Sequence, residues 1–148
     1  MYVMAPRPSE GQVPIFFNVD SSVGHKGANS SPEDILLVQF LIRKAGDSSP
    51  NLPPHQRERM RNVAPTGVCD PETIDGIRAV QETMRESHPG TIVDGKVSPA
   101  RGYRYGAGIW TIVSLNVTIR KRFPQVWPRL QDFADCPPLV KKRVVEVS

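Results

Sequence analysis

The chain contains little cysteine and little histidine. Its two cysteines, Cys69 and Cys136, lack the spacing of metal ligands, and a chain of 148 residues buries a core large enough to fold without disulfides. We therefore expect two separate thiols rather than a disulfide. The three histidines lie far apart in the sequence and outside any metal-binding or catalytic motif, so we expect neither a metal ion nor another cofactor.

The sequence also lacks long apolar runs. No segment reaches the roughly 18 to 20 consecutive apolar residues that cross a bilayer, so we expect no membrane span. The first 17 residues lack a basic segment followed by a continuous apolar stretch and a small-residue cleavage site, and we expect no ordinary secretion signal. A hydrophobic content of 39%, with 15 prolines and 11 glycines, indicates a globular protein with long irregular connections.

The charge is weakly positive, with a net value of +4. Basic residues cluster at residues 57–61, 120–122 and 141–143, and such clusters either contact phosphate backbones or form solvated faces. No helix-turn-helix, zinc-finger or aromatic RNA-binding motif accompanies them. We therefore do not expect nucleic acid to be the physiological partner.

A strong helix start stands at residues 31–42. Ser31 is a favourable N-cap, Pro32 fits the first helical position, and the next two residues place negative charge at the positive end of a helix. From residue 35 to residue 42 every residue except Gln39 is apolar, which is typical of a helix surrounded by its own domain. We predict that this helix is the centre of the core.

Two further helices are predicted. Asp70 and Pro71 form a second N-cap and first-turn signal, and apolar residues then recur at helical spacing as far as Met84. Residues 109–123 are ambiguous, because their β-branched side chains favour a strand whereas their length and spacing favour a helix. We predict a helix there.

The remaining segments are shorter. Residues 13–19 predict a short strand or an extended segment packed on the core, and residues 46–66 predict a surface insertion with one or two helical turns. Residues 91–97 contain an Asp-Gly signal for a small hairpin or tight loop. Residues 140–147 have the β-branched content of a strand, and we predict one.

Several polar residues are better explained by structure than by chemistry. The amides of Gln39 and Gln81, if they point inward, can bond loop backbone groups, which is the commonest use of polar side chains. Asp70, Glu72 and Asp75 could pair for acid and base catalysis, but carboxylates at a helix start are explained by capping and by the helix dipole.

Five ordered motifs occur between residues 38 and 116. They are Val38-Gln39, Gly67 to Thr73, Ile77 to Gln81, Asp94 to Pro99, and Thr111 to Asn116. In this order they resemble the peptidoglycan-binding-domain-like family, small three-helix modules found on many cell-wall enzymes. Asp70 stands where that family usually has a second glycine, and Val80 stands in place of an aromatic residue. The resemblance covers roughly residues 23–116.

The resemblance implies a mainly α fold, a small three-helix bundle with loop insertions and N- and C-terminal extensions. We therefore divide the chain into an N-terminal extension at residues 1–22, a peptidoglycan-binding-like domain at residues 23–120 and a C-terminal extension at residues 121–148. The insertion at residues 46–66 is longer than the connection that an ordinary module has between its first two helices.

The candidate ligand site lies in the glycine-rich segment at residues 101–108. Tyr103 and Tyr105 are platforms for sugar faces or for a partner protein, whereas Arg101 and Arg104 can pair with carboxylates of peptide stems. Gln81, on the second predicted helix, completes the candidate set. The alternative is a flexible loop whose tyrosines pack back on the core, and the sequence leaves both open.

The resemblance implies a non-catalytic peptidoglycan-binding module. The alternative is a structural or protein-interaction component of a phage or of a contractile, type VI-like secretion machine that reuses the fold. Without a secretion signal, the protein would reach the wall through a phage particle, host lysis or such a machine. An enzyme ranks below both, because the sequence shows no nucleophile with a partnered base, no phosphate loop and no metal motif.

Overall fold

The computed structural model describes residues 1–4, 16–27, 29–102, 104–105 and 108–147 and is mainly helical, as predicted. The helices are α1 (Pro32–Ser48), α2 (Pro54–Arg61), α3 (Pro71–Ser87), α4 (Thr111–Arg122) and α5 (Pro138–Val147). Three short antiparallel pairs join β1 (Tyr2–Met4) to β2 (Phe16–Asn18), β3 (Val23–Gly24) to β4 (Lys96–Val97), and β5 (Arg104–Tyr105) to β6 (Gly108–Ile109). None of the helices in these ranges is both long and apolar enough to span a bilayer.

Helix α1 is the central helix of the core, which confirms the prediction. The Ser31 hydroxyl accepts a hydrogen bond from the Asp34 amide, and Pro32 occupies the first turn. Ile35 and Leu37 are at most 2% exposed, and α1 packs against all four other helices. Burial of each such side chain contributes about 1.5 to 3 kcal/mol, so this helix dominates the stability of the core.

Helices α3 and α4 complete the predicted bundle. The Asp70 carboxylate accepts hydrogen bonds from the Thr73 amide at 2.9 Å and the Thr73 hydroxyl at 2.5 Å, and so begins α3. The ambiguous segment is helix α4, as predicted, with its Ile112 and Ile119 side chains fully buried. Burial against α1 outweighs the strand preference of its β-branched residues.

The insertion carries α2, which packs against both α1 and α3. Its Met60 side chain and the following Val63 side chain are buried. Gly76 on α3 permits this packing, because a Cβ atom there would lie 2.3 Å from Cγ2 of Val63. Arg59 pairs with Asp75, at 2.9 Å, and with Glu82 on α3. The insertion therefore contributes Met60 and Val63 to the core, whereas most of its other residues are exposed or half-buried, and α2 supplies the predicted helical turns.

The described N-terminal residues are held by buried polar side chains. The Asn116 carboxamide on α4 accepts from the Phe17 amide at 2.8 Å and donates to the Phe17 carbonyl at 2.9 Å. Asn18 makes the same pair of bonds with Ala100, at 3.0 and 2.9 Å. The buried Met1 ammonium lies 2.6 Å from the buried Asp34 carboxylate. Strands β1 and β2 are thereby fixed to the helical bundle.

The prediction of a strand at residues 140–147 is wrong, because this segment lies in α5. Val140 and Val144, one helical turn apart, are 0% and 2% exposed, and the helix packs against α1 and β1. Tertiary packing overrides the local strand preference of its valines. The preceding segment is held to α1 by Lys44, whose ammonium lies 2.6 Å from Asp135 and 4.7 Å from the ring centre of Phe133.

Candidate functional site

The predicted ligand residues fall in two places. Arg101 is exposed, and Arg104 and Tyr105 form β5, paired with Ile109 and Gly108 of β6. Tyr103 lies outside the described residues. Gln81 lies on α3, and its side chain is 1% exposed. The β5–β6 hairpin and Gln81 therefore lie on separate elements. Gln81 belongs to α3, whereas β6 leads into α4.

The Gln81 amide is bonded to the turn at residues 94–98, which we call the Gln81 turn. Its Nε2 donates to the Lys96 carbonyl at 2.9 Å and to Oδ1 of Asp94 at 3.0 Å, and it lies 3.3 Å from the Thr111 hydroxyl. Its Oε1 accepts from the amides of Asp94 and Gly95 at 3.1 and 3.0 Å. The predicted structural role of Gln81 is confirmed.

Gln39 makes a similar set of bonds with the turn at residues 66–70, the Gln39 turn. Its Nε2 donates to the Val68 carbonyl and the Thr73 hydroxyl, both at 2.9 Å, and to the Thr66 hydroxyl at 3.1 Å. Its Oε1 accepts from the Gly67 amide at 3.0 Å. The structure thus contains two equivalent units, each with a buried glutamine, a turn glycine and a threonine in the first turn of the next helix.

A pocket of about 290 Å³ lies beside the Gln81 turn, and we call it the Gln81 pocket. It is lined by Gln81, Ile92, Asp94, Lys96, Ser98, Trp110 and Thr111. Because the Gln81 amide is bonded to the turn, the lining groups that remain for a ligand belong to the other residues.

The walls of the Gln81 pocket combine apolar and charged groups. Ile92 is 65% exposed and Trp110 is half-buried, so both offer apolar surface. Asp94 and Lys96 add one charge of each sign. An aromatic face beside a few polar groups is typical of sites that bind small polar ligands. The Asp-Gly signal located this turn in the sequence, but it did not indicate that Ile92 and Trp110 converge on it.

Helix α4 begins at the Gln81 pocket. Trp110 occupies its N-cap position, and an indole has no acceptor for backbone N–H groups, whereas Asp70 supplies one for α3. The first turn of α4 also contains no acidic residue. Because the start of a helix carries partial positive charge, this wall and the Lys96 ammonium both favour an anionic group in the pocket.

The most suggestive pair for catalysis lies elsewhere, at the end of α3. The Ser87 hydroxyl lies 3.2 Å from Nδ1 of the adjacent His88. Within the described ranges, no carboxylate bonds the other ring nitrogen of His88, so the pair lacks the group that orients the imidazole in a catalytic triad. The described residues also contain no group of three side chains suited to a metal ion.

The two thiols are separate, as expected, and neither is activated. Burial raises the pKa of Cys136 to about 11, with the nearby Asp135 carboxylate adding to the effect. Burial, followed by the charge of Asp70, raises the pKa of the half-buried Cys69 thiol. Because the thiolate is the nucleophile, both shifts argue against a catalytic cysteine.

Comparison of the chain with known proteins found no matching family model, no matching curated protein and no matching solved structure.

Proposed function

We propose that the chain is a non-catalytic peptidoglycan-binding module whose ligand occupies the Gln81 pocket. The observation that carries the proposal is the pocket itself, with an indole and an aliphatic side chain beside an ammonium, a carboxylate and a helix start. Peptidoglycan presents sugar rings with apolar faces and peptide stems with carboxylates. The indole and the aliphatic side chain match the apolar faces of the sugars, and the ammonium and the helix start match the carboxylates of the stems.

Each part of the ligand has a counterpart in the pocket. A sugar ring packs on Trp110 and Ile92, which supply apolar surface. A stem carboxylate pairs with the Lys96 ammonium and the start of α4. Arg101 is exposed three residues after Ser98 and adds a second cation for an extended ligand. The overall charge of +4 favours association with an anionic polymer.

The residues that carry the family resemblance support the same proposal. Gln39 and Gln81 each anchor a turn, and Gly67 and Gly95 take the positive φ angles, +76° and +71°, that these turns require. A resemblance based on residues with such specific geometric roles is stronger than one based on composition.

The side chains of the described residues support the non-catalytic part of the proposal. Among them, the Ser87–His88 pair lacks an orienting carboxylate, and both thiols have raised pKa values. A test for release of soluble fragments from peptidoglycan checks this point. Release by the purified protein would contradict it.

A second candidate function is a protein-interaction component of a phage or contractile secretion machine. It is favoured by α5, where Leu139 is 43% exposed and Val145 is 61% exposed beside the exposed Lys141 and Lys142. Exposed aliphatic side chains next to basic ones are suited to contact with another protein.

Sedimentation with purified insoluble peptidoglycan tests the first proposal. We expect wild-type protein to be retained, and both Ile92→Ser and Lys96→Gln to weaken retention about tenfold, since each removes roughly 1 to 1.5 kcal/mol of contact. Val68→Ser is the matched control, because Val68 is also 65% exposed but lies on the Gln39 turn. The double variant Tyr103→Ala and Tyr105→Ala tests the predicted hairpin contribution.

The outcomes separate the two candidates. Equal weakening by Val68→Ser would show that the Gln81 pocket is not the site. Failure of the wild-type protein to sediment, together with a stable complex with another protein from the same source, would favour the interaction component instead.

A further inference from the structure

A groove of about 520 Å³ lies between α3, α4 and the insertion, and we call it the α3–α4 groove. It shares no lining residue with the Gln81 pocket. Its apolar lining includes Met60, Val80, Met84, Leu115 and Val117. Its volume and its mainly apolar lining are those of a small-molecule site.

Both threonines that line the groove are already bonded within their own helices. Thr83 Oγ1 donates to the Ala79 carbonyl at 2.9 Å, and Thr118 Oγ1 donates to the Ser114 carbonyl at 2.9 Å. A threonine bonded back to its helix has no remaining proton to donate to a ligand. With its apolar side chains and these two bonded threonines, the α3–α4 face of the groove favours an apolar occupant.

The charged residues that line the groove are Glu86, Lys121 and Arg122, which leave one positive charge in excess. Within the described ranges, Lys121 and Arg122 make no ion pair, whereas Lys44, Arg59 and Arg61 each pair with a carboxylate. Two exposed cations, each able to pair with a carboxylate, thus lie beside an apolar groove.

The length of the groove limits the occupant. Its α4 wall runs from Ser114 to Arg122, which spans about 12 Å at 1.5 Å per residue. A stable protein partner buries roughly 800 Å² on each side, far more surface than two helical turns supply. A single extended hydrocarbon chain fits this length.

From these observations we propose that the α3–α4 groove binds an anionic amphiphile, an acyl chain that ends in a carboxylate. The chain lies along Met60, Met84 and Leu115, and the carboxylate pairs with Lys121 and Arg122. The site is built partly from the insertion and does not depend on peptidoglycan binding.

Calorimetry with octanoate, decanoate and dodecanoate, each below its micelle concentration, measures the effect of chain length on the full chain. We expect affinity to rise about fourfold for each added methylene until the groove is filled, because each buried CH₂ contributes about 0.8 kcal/mol. Dodecylammonium, with the same chain and the opposite charge, should bind at least about fivefold more weakly than dodecanoate. Equal binding of the two would overturn the proposal.

Charge variants with a matched control locate the carboxylate. The double variant Lys121→Gln and Arg122→Gln should weaken dodecanoate binding about tenfold and remove the preference over dodecylammonium. The control, Lys141→Gln with Lys142→Gln, removes the same charge from exposed positions on α5 and should leave both affinities unchanged. Equal loss in the two double variants would mean that net charge alone attracts the ligand, and would contradict the site.

Methionine methyl signals locate the chain without a substitution. Dodecanoate should shift the NMR signals of the Met60 and Met84 methyl groups, whereas the Met1 methyl group, buried away from the groove, should not respond. Saturable shifts at Met60 and Met84 support the proposal. Shifts at Met1 without shifts at Met60 and Met84 would place the ligand elsewhere and overturn it.

Discussion

The Gln39 turn and the Gln81 turn share two glutamine bonds but have different surroundings. In both, a glutamine oxygen accepts from a glycine amide at 3.0 Å and its Nε2 donates to the next carbonyl at 2.9 Å. The Gln39 turn leads directly into α3, whose start is capped by Asp70. The Gln81 turn is separated from α4 by residues 99–110, and a pocket opens beside it.

This difference shows that a buried glutamine bonded to a turn can occur in two different surroundings. Where the next helix begins at once, the turn and its cap close the surface. Where a longer connection intervenes and tryptophan takes the N-cap position, the same anchor leaves room for a ligand. The glutamine fixes the turn in both places, so the segment after the turn decides whether a pocket lies beside it.

The largest expected effect on stability comes from replacing either buried glutamine. Gln39→Ala and Gln81→Ala should each lower the free energy of unfolding by about 2 to 4 kcal/mol, because each leaves several buried backbone groups without a partner. Urea denaturation of the two variants measures this. Only Gln81→Ala should also weaken peptidoglycan retention at a temperature where both variants are folded. Equal loss of retention in Gln39→Ala and Gln81→Ala would contradict the proposal that only the Gln81 turn lies at the binding site.

The turn glycines should show a smaller and unequal effect. Alanine at either position costs about 1 to 2 kcal/mol for the left-handed backbone. At Gly67 a Cβ atom meets nothing closer than 3.6 Å, whereas at Gly95 it lies 3.0 Å from Nε of Arg78 and 3.2 Å from Cγ2 of Ile74. We expect Gly95→Ala to cost about 1 kcal/mol more than Gly67→Ala in thermal or urea unfolding. A larger loss in Gly67→Ala would mean that the Gln39 turn is the tighter one.

The α3 cap should have the next largest effect. Asp70→Ala removes the acceptor for the Thr73 amide and hydroxyl and should cost about 1 kcal/mol. Because Asp70 does not line the Gln81 pocket, peptidoglycan retention should stay at the wild-type level. Asp70→Asn serves as the control, since an asparagine side chain still caps and should cost less.

The parts of this architecture that were predictable from sequence are those with local causes. The starts of α1 and α3 follow from Ser31-Pro32 and Asp70-Pro71, where the cap and the helix are neighbours in the chain. The structural role of the two glutamines followed from the chemistry of a buried amide. These signals require no knowledge of distant contacts.

The remaining parts depend on distant contacts. Helix α5 was predicted as a strand because its valines favour strands locally, whereas α1 and β1 decide its conformation. The bond between Asn116 and Phe17 joins residues 99 positions apart. The Gln81 pocket requires Gln81 of α3, Ile92 and Lys96 of the following connection, and Trp110 to converge from three segments, and no spacing rule in the sequence expresses that.

The smallest expected effect is more frequent local opening of one turn, and the rate of cysteine labelling measures it. Cys69 lies in the Gln39 turn and is half-buried, whereas Cys136 is 7% exposed and has its pKa raised by burial to about 11. At pH 8 Cys69 should therefore react faster with iodoacetamide. Gln39→Ala should accelerate labelling of Cys69 several-fold because the turn opens more often, and Gln81→Ala should not.

The pH dependence of labelling sharpens this last test. Since the folded pKa of Cys136 lies above the ordinary value of about 8.5, its thiol stays protonated in the native state while the unfolded thiol ionises. The contribution of Cys136 to native stability is complete below about pH 8.5 and is lost as the pH rises toward 11, so labelling of Cys136 at alkaline pH reports global unfolding. Both glutamine variants should accelerate Cys136 equally there. If Gln81→Ala instead accelerates Cys69 as much as Gln39→Ala does at pH 8, the two turns open together and are one cooperative unit.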